Sequence, residues 1–202
     1  MKFPDFQLTD KNIFFAGAIT MYAYPIVGWS ILTLFAKENE NFFFELLLHG
    51  LPQVYQILIG LVYGVGAYFI VQVFIFSGFL QDFTKPIVKI AKRLNWIQVI
   101  FLSLAAGFGE EVLFRVGIQH FFGIWPTAII FVAIHGYLNV FNPRIFLYGL
   151  VMVFISAGFG YLYVAYGITS AVIAHFVIDL LIFGVLKLWP EEQLIESKDQ
   201  NN

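Results

Sequence analysis

Three stretches of this chain run 23, 27 and 22 residues without a charged side chain: Ile13 to Phe35, Val54 to Leu80 and Ile145 to Tyr166. As helices, each covers at least ~30 Å, the thickness of a bilayer's hydrocarbon core. Such runs predict an all-α, polytopic transmembrane bundle. Composition points the same way: 60% of residues are hydrophobic and 12% charged, against about 25% charged in soluble domains. A length of 202 residues suits one membrane-embedded domain. A net charge of −2 says little about partners, and no basic face for nucleic acid is visible. With no cysteine, neither a disulfide nor a thiol nucleophile is available.

The pattern predicts six spans: Ile13–Phe35, Val54–Leu80, Trp96–Phe122, Ile124–Phe141, Ile145–Tyr166 and Ile168–Trp189. Pro25 and Gly28 are expected to kink the first. Gly60, Gly64 and Gly66 in the second are expected to let helices approach closely. Between the first two spans lies a polar loop, Lys37 to Pro52, whose phenylalanine-rich middle, Asn41 to Leu48, suits the membrane interface. Asp82 to Asn95 alternates Lys85, Lys89, Lys92 and Arg93 with apolar residues, as in a short amphipathic helix on an anionic membrane surface. The motif-bearing core is 96–189 and the tail, 190–202, is polar and expected to be disordered. The N-terminus lacks a cleavable signal pattern, so the first span would serve for insertion. With the N-terminus inside, Lys2, Lys11, Lys85, Lys89, Lys92, Arg93, Arg144, Lys187 and Lys198 fall on the inner side and Lys37 alone outside. That bias predicts both ends in the cytoplasm of a multi-pass protein in the plasma or inner membrane.

The titratable residues within the spans are Glu110, Glu111, Arg115, His120, His135, His175 and Asp179. An intramembrane charge is costly, by at least ~2.5–3.5 kcal/mol, and is kept where it is paired, wetted or used. Glu111 and Arg115 are one helical turn apart and share a face, whereas Glu110 points about 100° away. His120 lies near a helix end and reads as interfacial. Counting ~1.5 Å per residue brings Glu110, His135 and His175 to overlapping depths, from the outer third to the middle of the bilayer, with Asp179 one turn beyond His175. A carboxylate and two imidazoles around one point can activate a water, the carboxylate as general base and a histidine as donor to an oxyanion. Glu110, His135 and His175 could equally hold a zinc ion.

The motifs resemble a known family. Glu110-Glu111-Val112-Leu113-Phe114-Arg115 is similar to the EExxxR motif of the CAAX protease and bacteriocin-processing (CPBP, or Abi) enzymes. Phe131 to His135 is similar to their FxxxH motif, and His175 to Asp179 to their HxxxN motif, with Asp in place of Asn. The resemblance implies an intramembrane endopeptidase acting on a membrane-associated peptide or protein. It assigns water activation to Glu110 and His135, oxyanion stabilisation to His175 and Asp179, and a structural pair to Glu111 and Arg115. Family members are described both as metalloproteases and as glutamate proteases. Asp179 can donate a hydrogen bond only when protonated, so here it is expected to orient His175 instead. Ras-converting members open to the cytosol, whereas the depth count sets this site nearer the outer face, which would suit exported peptides or membrane-anchored tails. Two other classes compete: a proton- or ion-coupled transporter, which would string polar groups along a path, and a non-catalytic immunity or scaffold protein of the same fold.

Overall fold

The computed structural model describes residues 9–36, 41–77 and 79–189. The N-terminal reading, Lys37 and the polar tail from Pro190 lie outside the described residues. Everything regular within them is helical, and five helices are long and apolar enough to cross a membrane.

The first helix, α1, is continuous through Asp10–Ala18, a π-helical segment Ile19–Ala23, and Tyr24–Phe35. Thr9 caps it, its hydroxyl accepting from the Asn12 amide at 3.3 Å. Where a kink is expected, the turn ahead of Pro25 is π-helical. Pro25 has no N–H to donate and its ring crowds the carbonyl one turn back, and widening the preceding turn accommodates both. The loop that follows contains a short helix, α2 (Phe42–Leu48), with Phe43 buried.

Next comes α3 (Gln53–Phe76). Its Gly60 and Gly64 lie against the carbonyls of Ser170 and Ala174, where an added Cβ would fall 2.6 and 2.7 Å from oxygen. These two glycines do permit close helix packing. Gly66 does not: nothing lies within 4 Å of where its Cβ would stand.

The amphipathic segment forms α4 (Gln81–Arg93), burying Thr84, Val88 and Ala91 while Lys89, Ile90 and Arg93 stay exposed. Asn95 then opens α5 with a capping box. Its side chain accepts from the Gln98 amide at 2.9 Å and the Gln98 side chain accepts from its amide at 2.8 Å. Helix α5 comprises Trp96–Glu111, a second π-helical segment Val112–Ile118, and Gln119–Phe122. Its Gly109 backbone abuts the Thr20 carbonyl and its Gly117 abuts Gly28, so α1 and α5 meet through their glycines.

The fourth span departs from expectation. Its helix, α6, covers only Ile124–Ile134 and is capped by His135. Eleven residues rise about 16 Å, half of a ~30 Å hydrocarbon core. The chain turns at Gly136, whose φ is +78°, and reaches α7 (Pro143–Tyr166) without helix. Irregular backbone at membrane depth requires a water-filled or protein-lined space. Gly136, Asn139 and Val140 are exposed. The expected span to Phe141 is therefore helix only as far as Ile134 and irregular from there on.

The last helix, α8 (Ile168–Leu188), is central and packs against α3, α4, α5 and α7. At one end of the bundle, the Leu51 amide donates to the Tyr166 carbonyl at 2.9 Å. At the other, the Lys187 ammonium donates to the Leu94 carbonyl and lies over the Trp96 ring, and Arg144 lies over the Phe79 ring. Ile13 joins Leu94 and Val99 in a cluster there. Lys11, Lys85, Lys89, Lys92, Arg93, Arg144 and Lys187 thus gather at one end, as the alternation of spans requires.

Candidate active site

Glu111 is fully buried, as is Arg115. The Arg115 Nε donates to Glu111 Oε2 at 2.7 Å. The other guanidinium nitrogens reach Ser156 Oγ of α7 at 2.9 Å and Gln119 Oε1 at 3.4 Å. Gln119 in turn donates to the Gly160 carbonyl at 3.2 Å. The expected i,i+4 pair is present, but it is one part of a network tying α5 to α7. A sequence signal for Gln119 existed, since positions 111, 115 and 119 share a helix face. Ser156 carried none.

Glu111 also does something the spacing did not disclose. Its second oxygen, Oε1, accepts from His175 Nδ1 at 2.8 Å. One carboxylate therefore holds both the arginine of its own helix and the imidazole of α8. The ring is further fixed by Phe159, stacked at 5.4 Å with planes 12° apart, and by the edge of Phe131 at 5.9 Å. Its remaining nitrogen, Nε2, faces Asp179 Oδ2 at 3.6 Å.

Glu110, on the neighbouring face of α5, turns to α6. Its Oε2 stands 3.6 Å from His135 Nε2. His135 Nδ1 donates to the Phe131 carbonyl at 2.7 Å, and the ring packs on Phe131 at 4.5 Å. In the neutral ring this bond fixes the proton on Nδ1 and leaves Nε2 an acceptor. Phe131 thus lies between the two imidazoles, and Tyr137, from the loop after α6, stacks on His135 at 5.9 Å. Tyr137 had no place in the sequence reading; only the turn at Gly136 carries it back to the site.

Exposure grades across the group. Glu111 and Arg115 are sealed, whereas the Glu110, Asp179 and His135 side chains are 16%, 25% and 31% exposed. On α8, Ala171, Val172, Ala174, His175, Val177 and Ile178 are buried, and every residue from Asp179 to Val185 is half-buried. Burial along α8 thus loosens from Asp179 toward the basic end. His120 stays apart, its ring packed against Phe42 and Phe121.

A zinc site on Glu110, His135 and His175 would need all three to aim at one point. His175 instead commits Nδ1 to Glu111, and no group of three or more His, Cys, Asp or Glu among the described residues is arranged to hold a metal.

Residues 92–181 match the family model described as type II CAAX prenyl endopeptidase Rce1-like. The matched segment contains all three motifs and bears out the resemblance read from them. Among curated proteins, the chain is 40% identical over 47 residues to the uncharacterized protein YpbD of Bacillus subtilis (strain 168). That alignment takes in 23% of this chain and 25% of YpbD, so the chain spans about a quarter of the relative's length. No solved structure matches it.

Proposed function

We propose that the chain is an intramembrane endopeptidase that hydrolyses a peptide bond with a water activated by Glu110 and His135. One observation carries this reading: two hydrogen-bond acceptors face each other across helices, Glu110 Oε2 and His135 Nε2, 3.6 Å apart. That separation exceeds a direct hydrogen bond. A water placed between them donates one hydrogen to each and presents its oxygen lone pair outward. Glu110 then takes the proton as the oxygen attacks the scissile carbonyl, and His135 orients the water.

The carbonyl oxygen, as it becomes an oxyanion, is stabilised by His175. With Nδ1 committed to Glu111, the imidazolium form has Nε2–H left to donate. Asp179, beside that nitrogen, positions the ring and does not itself react. Glu111 and Arg115 hold the arrangement in place. The leaving amine receives the proton that Glu110 took from the water. The substrate, a membrane-associated peptide or protein, approaches from the basic end. The half-exposed inner stretch of α8 and the loop 135–142 support that direction. The depth count alone had favoured the outer face, but depth does not determine which end of a cleft is open.

Comparing membranes from cells carrying wild type and Glu110→Gln tests the function. Membrane-anchored proteins that gain mass by an uncut segment in the variant are the expected result. Identical membrane proteins in both would contradict the proposal.

A further inference from the structure

The basic helix α4 sits in sequence between two membrane spans, so it lies where the bundle meets the membrane surface. One face, Thr84, Val88 and Ala91, packs on the protein, with Val88 and Ala91 against Leu186 of α8. The other exposes Lys89, Ile90 and Arg93, and Arg144 and Lys187 belong to the same end of the bundle.

What distinguishes α4 from a plain surface anchor is what it touches on the inside. Phe83, in its first turn, meets the edge of Tyr137 at 5.4 Å. Tyr137 stacks on His135 with planes 21° apart, and it also packs on Tyr148 of α7 at 5.3 Å. At its other end α4 is tied to α8, the helix of His175 and Asp179, by Lys187 donating to the Leu94 carbonyl. One surface helix therefore contacts both the loop behind one site histidine and the helix bearing the other.

We propose that α4 docks on anionic lipid headgroups of the leaflet it faces, and that this docking holds Phe83 against Tyr137 and so fixes His135. The charges select the occupant. Cationic side chains beside exposed Ile90, Trp96 and Ile97 match an interface with anionic headgroups and an acyl layer beneath. A soluble acidic partner would use the charges and leave the apolar residues unmatched. The consequence for cleavage rests on the proposed protease function, but the positional claim does not.

The test follows position rather than cleavage. The chain has no cysteine, so Val140→Cys, at a residue 68% exposed in the loop after α6, reports how tightly that loop is held. The full-length variant is placed in vesicles of phosphatidylcholine alone or mixed with phosphatidylglycerol, and its reaction with a soluble maleimide is timed. The expected result is labelling several-fold slower with phosphatidylglycerol. Reversing Lys89 and Arg93 to glutamate should remove that difference, and so should Phe83→Ala, with thermal melts confirming that each variant is folded. Equal rates in the two vesicle types would overturn the proposal. So would a full lipid effect in Phe83→Ala, or slowing by soluble polyglutamate but not by phosphatidylglycerol, which would make α4 a site for an acidic protein.

Discussion

Glu110 and Glu111 are adjacent in the chain and opposite in their surroundings. Glu111 is sealed between Arg115 and His175, whereas Glu110 reaches a partly exposed histidine. Replacing Glu111 with alanine leaves a buried guanidinium without its counter-charge and His175 Nδ1 without its acceptor, a loss of about 3–5 kcal/mol. Replacing Glu110 with glutamine keeps the side chain's shape and should cost less than about 1 kcal/mol. Thermal melts in detergent should therefore show a large drop for Glu111→Ala and almost none for Glu110→Gln; equal drops would contradict the division of labour. Asp179→Asn preserves a polar group beside His175 Nε2 and should retain much of the cleavage activity, whereas Asp179→Ala should retain less. An Asp179→Asn protein that stays folded yet is as inactive as Glu110→Gln would make Asp179 the base.

At the scale of elements, the glycines make different predictions according to what faces them. A Cβ on Gly109 would collide with the Thr20 backbone, so Gly109→Ala must push α1 and α5 apart. Overpacking of that kind costs about 1–3 kcal/mol. Gly66→Ala meets nothing and should be neutral or stabilising by up to about 1 kcal/mol through helix propensity. Melts of both check this, and equal destabilisation would contradict the packing described. The sequence showed where helices lie and which contain Glu, His and Arg, because an uncharged run and an i,i+4 spacing are local facts. It overextended α6, because Leu138, Val140 and Phe141 remain apolar after the helix has ended. Hydropathy counts residues without reading conformation; the turn at Gly136 was the available sign. The Glu111–His175 bond joins residues 64 apart, and no local pattern encodes it. Pro25 announced an irregularity in α1, but that it would be a π segment depends on how the whole turn relaxes.

For the whole molecule, the gathering of seven lysines and arginines at one end predicts that this end faces the cytoplasm. A cysteine at Lys89 should resist an impermeant thiol reagent in intact cells and react once the membrane is opened. Rapid labelling in intact cells would invert the orientation and turn the site outward. The central claim, that Glu110 and His135 act together on one water, is tested most directly by a double-mutant cycle. Turnover of a substrate found through the Glu110→Gln membranes is measured for wild type, Glu110→Gln, His135→Ala and the double variant. Groups that act as a unit lose nearly everything at the first substitution. The predicted result is a severe loss in each single variant and little further loss in the double. Wild-type turnover in either single variant, or two losses that simply multiply, would contradict the account.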